Sequence, residues 1–556
     1  MSWNYSEAVD RIGQGPLANR TALIHDHHEI SFAELRSRAR GIGAWLQNLQ
    51  LDRHSHIGHY MRNSNAYMET FIGSSIAGFA HVNINYRYQK KELEDLCNSL
   101  DIKVLVYGAE FAEQVAQIKP QLSKTIAYVE VTNSSADTSS ATSPSTSPAS
   151  TKNDFAVALQ ELYTQSCHKL IKDTASNNQL VIATGGTTGL PKGTQWQHTD
   201  LWHKMKVWGY GAMAPAALEL PPESLDHYLA ILQELPASAP LFPLCPLMHG
   251  TGLMMALTAL AQASPVVTTD NKHFNADYCL GIIARHKVGA LVIVGDAFAL
   301  PLLEAIEARS DNSFGSVQTL MSSGAILSDA SRARFMALNR EILLLDTLGS
   351  TEAVGYGITT EQAGIFMPMP TTRVFDDALN EIVAGSGDIG IAYAGGFSPI
   401  GYYNDPEKTA ETFVTINKER FVKTGDRCTV RADGMLELLG RDSSVINTGG
   451  EKVYTVEVEQ LLLRHPVITD AVLVGLPHPR FGKMVVAAVE GPNLTADTLD
   501  VAAVQTYLKE QLADYKVPKK IYAIASMQRF ANGKIDYAVI TDFAATCLAD
   551  EQKNKP

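Results

Sequence analysis

The sequence predicts an α/β fold with largely parallel sheets, followed by a small α+β domain. Three observations carry that prediction. Short apolar runs, KVLVY at 103–107, LVIAT at 180–184, ALVIV at 290–294 and EILLLD at 341–346, alternate with stretches of helical period. Buried strands separated by helices are the pattern of parallel sheets covered on both faces. The chain has 556 residues, more than one hydrophobic core serves. Near 440–450 the run MLELLGRDSSVINTGGEKVY passes from strand-like to polar and glycine-containing, and alternation then resumes with VEVEQLLLRHPVITDAVLVGL, a helix near 500–512 and KKIYAIA. These observations divide the chain into a large domain, 1–441, and a small one, 442–556.

A hydrophobic content of 45% and a charged content of 19% are those of a soluble globular protein. The net charge of −13 excludes the basic footprint of a nucleic-acid binder but not a local nucleotide site. The six cysteines are scattered without a C-x-x-C, which suggests neither a zinc site nor a disulfide framework. MSWNYSEAVDRIG shows no signal-peptide pattern, and no apolar window is long enough to span a bilayer. A reduced, cytoplasmic enzyme is the expectation, with peripheral membrane contact left open. Oligomeric state is not legible.

Taken in chain order, residues 31–49 read as an amphipathic helix, with Ser31 as N-cap and Glu34 completing a capping box. Residues 132–152, nearly all Ser, Thr, Ala and Pro, cannot bury enough apolar surface to offset their ordering entropy and read as a disordered surface insertion. GSGDIG at 385–390 has the letters of a dinucleotide fingerprint but is followed by the strand-like IAYAG, so it reads as a turn between strands. The histidines of HDHH at 25–28 and HSH at 54–56 lack a matching carboxylate set and read as turn composition. Glu457 and Glu459, two residues apart, read as sharing one strand face and supporting the packing of the small domain.

Residues 184–193, TGGTTGLPKG, follow the apolar strand directly. Successive backbone N–H groups in a glycine-rich turn form an anion-binding nest, Thr187 and Thr188 add hydroxyls, and Lys192 adds a positive charge. The stretch is not the common phosphate loop G-x-x-x-x-G-K-[ST], because Pro191 precedes the lysine. Four further stretches follow: LGSTEAVGYG at 348–357, KTGD at 423–426, GRDSSVINTGGEKVYTVEVE at 440–459 and ANGKIDY at 531–537.

With that ordered set the chain, from about residue 20 to about 540, resembles the acyl-adenylate-forming superfamily of acyl-CoA synthetases, peptide-synthetase adenylation domains and beetle luciferases. The resemblance implies two α/β subdomains and a distorted β-barrel in the large domain, with a small mobile lid. It also implies a two-step reaction. A carboxylic acid is adenylated by ATP with Mg²⁺, releasing pyrophosphate; the acyl-AMP is then attacked by CoA, releasing AMP. By the same resemblance, Thr184, Gly186, Thr187, Thr188, Gly189 and Lys192 clasp the β- and γ-phosphates. Glu352 is the Mg²⁺ ligand, as a hard cation requires, and Thr351 contacts the α-phosphate. Asp426 accepts the ribose hydroxyls with Arg441 in support. Ser323, Gly324 and Ala325 line the adenine and acyl pocket, and His249 in PLMHGTG gates the carboxylate. Lys534 is the catalytic lysine of the lid, neutralising charge as it builds up. Gly449, Gly450 and Lys452 line the tunnel for the pantetheine arm of CoA.

NTGGEKVY, GDAF at 295–298 and GYYNDPEKTAETF at 401–413 look most like the long-chain and steroid side-chain acyl-CoA ligases. Pocket depth depends on which of Met248, Met254, Met255, Phe298 and the 300–325 side chains face inward; methionines and leucines here suit an apolar acid, and a core would use the same residues. The sequence also departs from the pattern. Leu348 stands where an aromatic residue usually stacks on adenine, so that adenine is held by apolar contact instead or with help from Tyr356; Ser443 stands at the usual Asp or Lys of the hinge, and Thr455 replaces a common proline. Two alternatives share the motifs: an adenylating enzyme with a non-CoA second step, such as a β-lactone synthetase, and a nucleotide-binding protein without turnover.

Overall fold

The structure is a computed structural model. It describes the chain apart from residues 1–3, 133–154, 176, 185–191, 207–221, 223, 326, 360–361, 442–444, 449–450, 479–481, 513, 531–533 and 554–556, with backbone alone at 184, 447, 451, 452, 482 and 552. The Ser/Thr/Pro stretch therefore lies outside the described residues from position 133 on. The chain divides into two compact units, Met1–Val292 with Asp311–Gln318 and Phe397–Ala410, and Ile293–Ser310 with Thr319–Gly396 and Glu411–Pro556.

The first unit holds an eight-stranded sheet. Ala80–Asn83, His56–Tyr60, Ile102–Gly108, Ala127–Val131 and Gln179–Thr184 run parallel in it, and the apolar runs at 103–107 and 180–184 are two of these strands. Lys192–Gln197 and Gly401–Tyr402 close one edge antiparallel. Val82, Ile102, Leu105, Tyr107 and Val181 are buried in one core with Leu93 and Leu96 of the helix Lys90–Ser99. A second sheet of the unit joins Ala290–Ile293, Leu241–Pro243, Val266–Thr268 and Thr21–His25 in parallel. His28–Ser31 returns on it as a hairpin whose turn contains Asp26 at φ 51°, so the first histidine group spans a turn, with His25 and His28 ending and starting the two strands. The expected helix runs Phe32–Asn48, and the Ser31 hydroxyl accepts from the Glu34 N–H at 3.2 Å. The Glu34 carboxylate turns to Arg38, one turn on.

The second unit pairs Thr319–Ser323 with Leu343–Leu348 in parallel. It continues antiparallel through Gly357–Thr359, Ile365–Pro368, Leu436–Arg441, Glu419–Val430, Ile389–Gly395 and Thr372–Phe375. The GSGDIG segment is a turn entering Ile389–Gly395, with Gly385 at φ 77° and Gly387 at φ 79°. A separate five-stranded sheet follows in the same unit, including Asp470–His478, Gly482–Glu490 and Lys520–Ala523. The helices Thr455–Leu463 and Val501–Lys509 share one core with it through Val458, Leu462, Val504 and Leu508.

One expectation is corrected here. TVEVE is not a strand but the first turns of the helix Thr455–Leu463. Glu457 and Glu459 therefore diverge instead of sharing a face. Glu457 binds Lys516 at 2.7 Å, while buried Glu459 accepts from the Leu473 N–H at 2.8 Å. Burial raises the Glu459 carboxyl to about 7. Among the described residues, no helix is long and apolar enough to cross a membrane.

Candidate active site

The sequence-predicted residues fall into two sets, one in each unit. In the first unit, Gln179–Thr184 and Lys192–Gln197 are antiparallel neighbours with Thr184 opposite Lys192. The glycine-rich segment therefore joins two strands, unlike the strand-to-helix loop of common phosphate binders. Gly186, Thr187, Thr188 and Gly189 lie outside the described residues, as does the Thr184 side chain. Gly193 is required sterically: a Cβ there would meet Leu100 and Val181 side chains at 2.8 Å. The Lys192 ammonium lies 3.1 Å from Asp405 Oδ2.

His249 occupies the N-cap position of the helix Gly250–Ala261, half-buried, after the turn Cys245–Met248. That turn is held by two asparagines that sequence reasoning missed. Asn63 accepts from the Leu247 N–H at 2.7 Å and donates to the Cys245 carbonyl at 3.2 Å. Asn83, at the end of its strand, accepts from the Ala183 N–H at 3.0 Å and donates to the Met248 carbonyl. One buried amide thus ties the root of the glycine-rich segment to the histidine turn. Met248, Met254 and Met255 are buried beside it.

In the second unit, Ser323 ends its strand and donates its hydroxyl to the Thr347 carbonyl at 3.1 Å, while Thr347 donates to the Ser322 carbonyl at 3.3 Å. Gly324 follows at φ 91°, a conformation that favours glycine. The loop carrying Thr351 and Glu352 is closed on itself. The Ser350 N–H donates to Ala353 O at 2.9 Å, the Ala353 N–H to Ser350 Oγ at 3.1 Å, and the Tyr356 N–H to Leu348 O at 3.0 Å. Tyr356 is fully buried, and its hydroxyl donates to Asp426. Its ring is therefore spent inside the protein and does not replace the aromatic residue missing at 348. Burial, followed by the charge of Asp426, pushes the Tyr356 hydroxyl well above its ordinary value.

Asp426 and Arg441 are direct cross-strand partners. Arg441 Nε donates to Asp426 Oδ1 at 2.9 Å, and the Asp426 charge is the first cause of a raised Arg441 pKa. The Phe530 N–H donates to the Lys534 carbonyl at 2.8 Å. Nearby, Arg529 donates to both Asp470 oxygens at 2.7 Å and faces Ile535 in an antiparallel bridge. The Lys534 side chain keeps an exposed surface, yet surrounding protein desolvates its ammonium enough to lower the pKa. Arg441 acts in the same direction and Glu352 opposes both. Lys534, Arg441 and Glu352 are thus within electrostatic reach of one another. Gly449, Gly450 and the Lys452 side chain lie outside the described residues.

The donor set fits the groups the sequence implies. Among the described residues there is no cluster of three or more His, Cys, Asp or Glu side chains that would hold a metal alone. A single carboxylate such as Glu352 suits Mg²⁺, which takes one or two protein carboxylates and completes its shell with water and substrate phosphates. The Asp426 carboxylate, oriented by Arg441 and Tyr356, suits a pair of hydroxyl donors.

The sequence profile of the AMP-binding enzyme family matches residues 11–396, and that of the AMP-binding enzyme C-terminal domain matches residues 457–534. The chain is 32% identical over 549 residues to a medium/long-chain-fatty-acid–CoA/3-oxocholest-4-en-26-oate–CoA ligase of Mycolicibacterium smegmatis, covering 96% of this chain and 95% of that protein. It is 31% identical over 554 residues to a 3-oxocholest-4-en-26-oate–CoA ligase of Rhodococcus rhodochrous, with the same coverage. The fold is similar to ATP-bound MatB from Rhodopseudomonas palustris, with a TM-score of 0.79 at 22% identity over 98% of this chain and 99% of that one. It is also similar to the anthranilate CoA ligase AuaEII in complex with anthranoyl-AMP, with a TM-score of 0.79 at 20% identity over 99% and 98% of the two chains.

Proposed function

The chain belongs to the AMP-binding enzyme family, and we propose that it is an ATP-dependent acyl-CoA ligase for apolar acids, either medium- to long-chain fatty acids or sterol side-chain acids. It converts the acid to an acyl-AMP with release of pyrophosphate, then to the CoA thioester with release of AMP. The relatives named as fatty-acid and steroid-acid CoA ligases, similar over nearly the full chain, support the substrate class. ATP, Mg²⁺ and CoA are the cosubstrates and cofactor.

The observation that carries the reading is the cluster in the second unit. Asp426 is clamped by Arg441 and Tyr356, and Lys534 shares a field with Arg441 and Glu352. In this reading Asp426 accepts the ribose hydroxyls, and Glu352 holds the Mg²⁺ that neutralises phosphate charge. Lys534 stabilises the charge that develops between carboxylate and α-phosphate. Lys192 and the glycine-rich segment take the β- and γ-phosphates, Thr351 the α-phosphate, and Ser323 to Ala325 the adenine. His249 faces the acid, and Gly449, Gly450 and Lys452 the pantetheine arm. Residues 442–556 act as the mobile piece, a boundary inside the second unit supported by the separate sheet and core that follow it. Work in the cytoplasm completes the proposal.

Acid-dependent exchange of labelled pyrophosphate into ATP tests the first step. Exchange that needs Mg²⁺ and a fatty or sterol acid is the expected result; exchange absent with every such acid sinks the reading.

A further inference from the structure

Lys192 has a partner to which the motif does not point. Its ammonium is 3.1 Å from Asp405 Oδ2 and 5.6 Å from the centre of the Tyr402 ring. Both residues belong to a stretch fixed to the strand that carries the lysine. Tyr402 is opposite Thr194 and Gly401 opposite Gln195. The Tyr403 N–H donates to the Gly193 carbonyl at 2.8 Å, and its hydroxyl donates to Asp101 at 3.0 Å. Asp405 also begins the helix Pro406–Thr412. Its Oδ1 accepts from the Lys408 N–H at 2.9 Å, and its carbonyl accepts from the Thr409 N–H at 3.0 Å and hydroxyl at 2.7 Å. That hydroxyl in turn accepts from the Tyr402 N–H at 2.9 Å.

One carboxylate oxygen is therefore committed to the backbone while the other faces the lysine. Asp405 is tied at one carboxylate oxygen and at its backbone carbonyl, whereas the lysine ends a flexible four-carbon stem, so when the pair opens it is the lysine that moves. The Lys408 N–H, and then Lys192, hold the Asp405 carboxyl below its ordinary range, so it is charged at neutral pH.

We propose that Asp405 limits how tightly this protein holds polyphosphate, by competing with phosphate oxygens for Lys192. The proposal rests on the phosphate role assigned to Lys192 above. A fixed carboxylate offers the ammonium a charge-assisted bond of its own and repels a polyanion approaching the same charge. The consequence falls on the leaving group: pyrophosphate, once cut from the nucleotide, has a built-in rival for its lysine and departs faster. AMP, which lacks the β- and γ-phosphates, is indifferent to Asp405.

The test uses Asp405→Asn, which keeps the helix cap because Asn serves there as well as Asp, and removes the charge. Affinities for magnesium pyrophosphate and for AMP are measured by calorimetry on the full chain, on Asp405→Asn, on Lys192→Met and on the double variant. Asp405→Asn is expected to bind pyrophosphate about three- to fivefold tighter, the scale of a partly exposed ion pair, with AMP affinity unchanged. The gain disappears in the double variant and shrinks at high salt. If Lys192→Met weakens pyrophosphate but Asp405→Asn leaves it unchanged or weaker, the competition is overturned and the phosphate role of Lys192 stands. If Lys192→Met binds pyrophosphate as the parent does, the phosphate role falls and the competition with it.

Discussion

Arg441 Nε donates to Asp426 Oδ1 at 2.9 Å across adjacent antiparallel strands, in direct register. The register is what makes the pair rigid: neither side chain has to search for the other. Tyr356 occupies the second oxygen of the same carboxylate. If Asp426 accepts the ribose hydroxyls as proposed, removing one donor frees the carboxylate to rotate away from them. Tyr356→Phe is expected to raise the KM for ATP about tenfold or more, the worth of a hydrogen bond to a charged group, with kcat nearly unchanged. Parallel titrations with ATP and 2′-deoxy-ATP check the assignment. The variant narrows the difference between the two nucleotides if Tyr356 acts through ribose recognition, and leaves it intact if the bond is only structural.

Lys534 answers to Arg441 and Glu352, and the proposed function gives it a role in the first half-reaction. Lys534→Ala is expected to slow acyl-AMP formation by roughly 10²- to 10³-fold, the cost of removing a donor aimed at developing charge. Thioester formation from supplied acyl-AMP and CoA stays near the parental rate. Equal loss in both half-reactions removes the assigned role.

Asn83 joins the Ala183 N–H to the Met248 carbonyl from a buried position. Asn83→Ala leaves both backbone groups without that partner, at a cost of about 1–3 kcal/mol each when they stay buried. A melting temperature lower by several degrees and a raised KM for the acid are expected together. A stability loss with acid KM unchanged separates the asparagine from the histidine turn.

His198 is fully buried, with its ring 5.7 Å from Phe71 at 14° and 5.7 Å from Tyr5 at 65°. Burial lowers its pKa to about 3, and lowers His59 to about 4. A histidine lowered on folding stabilises fully above its unfolded value of about 6.5, and that stability drains as pH falls below it, because the unfolded chain takes up the proton. Buried Asp346, raised to about 7, works the other way. It keeps its proton when folded, so its contribution is lost as pH rises from about 4 towards 7. The two opposite trends make total stability a poor readout, so the His198 part is read by difference. His198→Gln should flatten the dependence between pH 6 and 5 by about 1.4 kcal/mol per pH unit, one proton's worth. Urea unfolding at those two pH values measures it, and an unchanged slope means that His198 is not held neutral.

The strands were legible because β-branched and leucine runs in a parallel sheet need no partner information to be recognised. The motif residues were legible because the chemistry fixes several types in one short stretch, as at GSTE and KTGD. TVEVE misled because five residues alternate as a strand does, and the helix that claims them is fixed only by Val458 and Leu462 reaching the core of the separate sheet. Asn63, Asn83, Tyr356 and Asp405 were illegible as site residues for a different reason. Each is a lone polar side chain whose partner lies from 70 to 213 positions away in the chain, and no local pattern announces such a pairing. Tyr356 reads from the sequence as a stand-in for the missing aromatic residue, and its burial against Asp426, 70 positions on, has no local signature.

The central claim, ligation of an apolar acid to CoA through an acyl-AMP, is tested most directly by mass spectrometry of the products. The purified protein is given ATP, Mg²⁺ and a panel of fatty and sterol side-chain acids, each with and without CoA. An acyl-CoA peak that requires every component, accompanied by AMP and pyrophosphate, is the expected result. AMP and pyrophosphate formed from the acid without any thioester would contradict it.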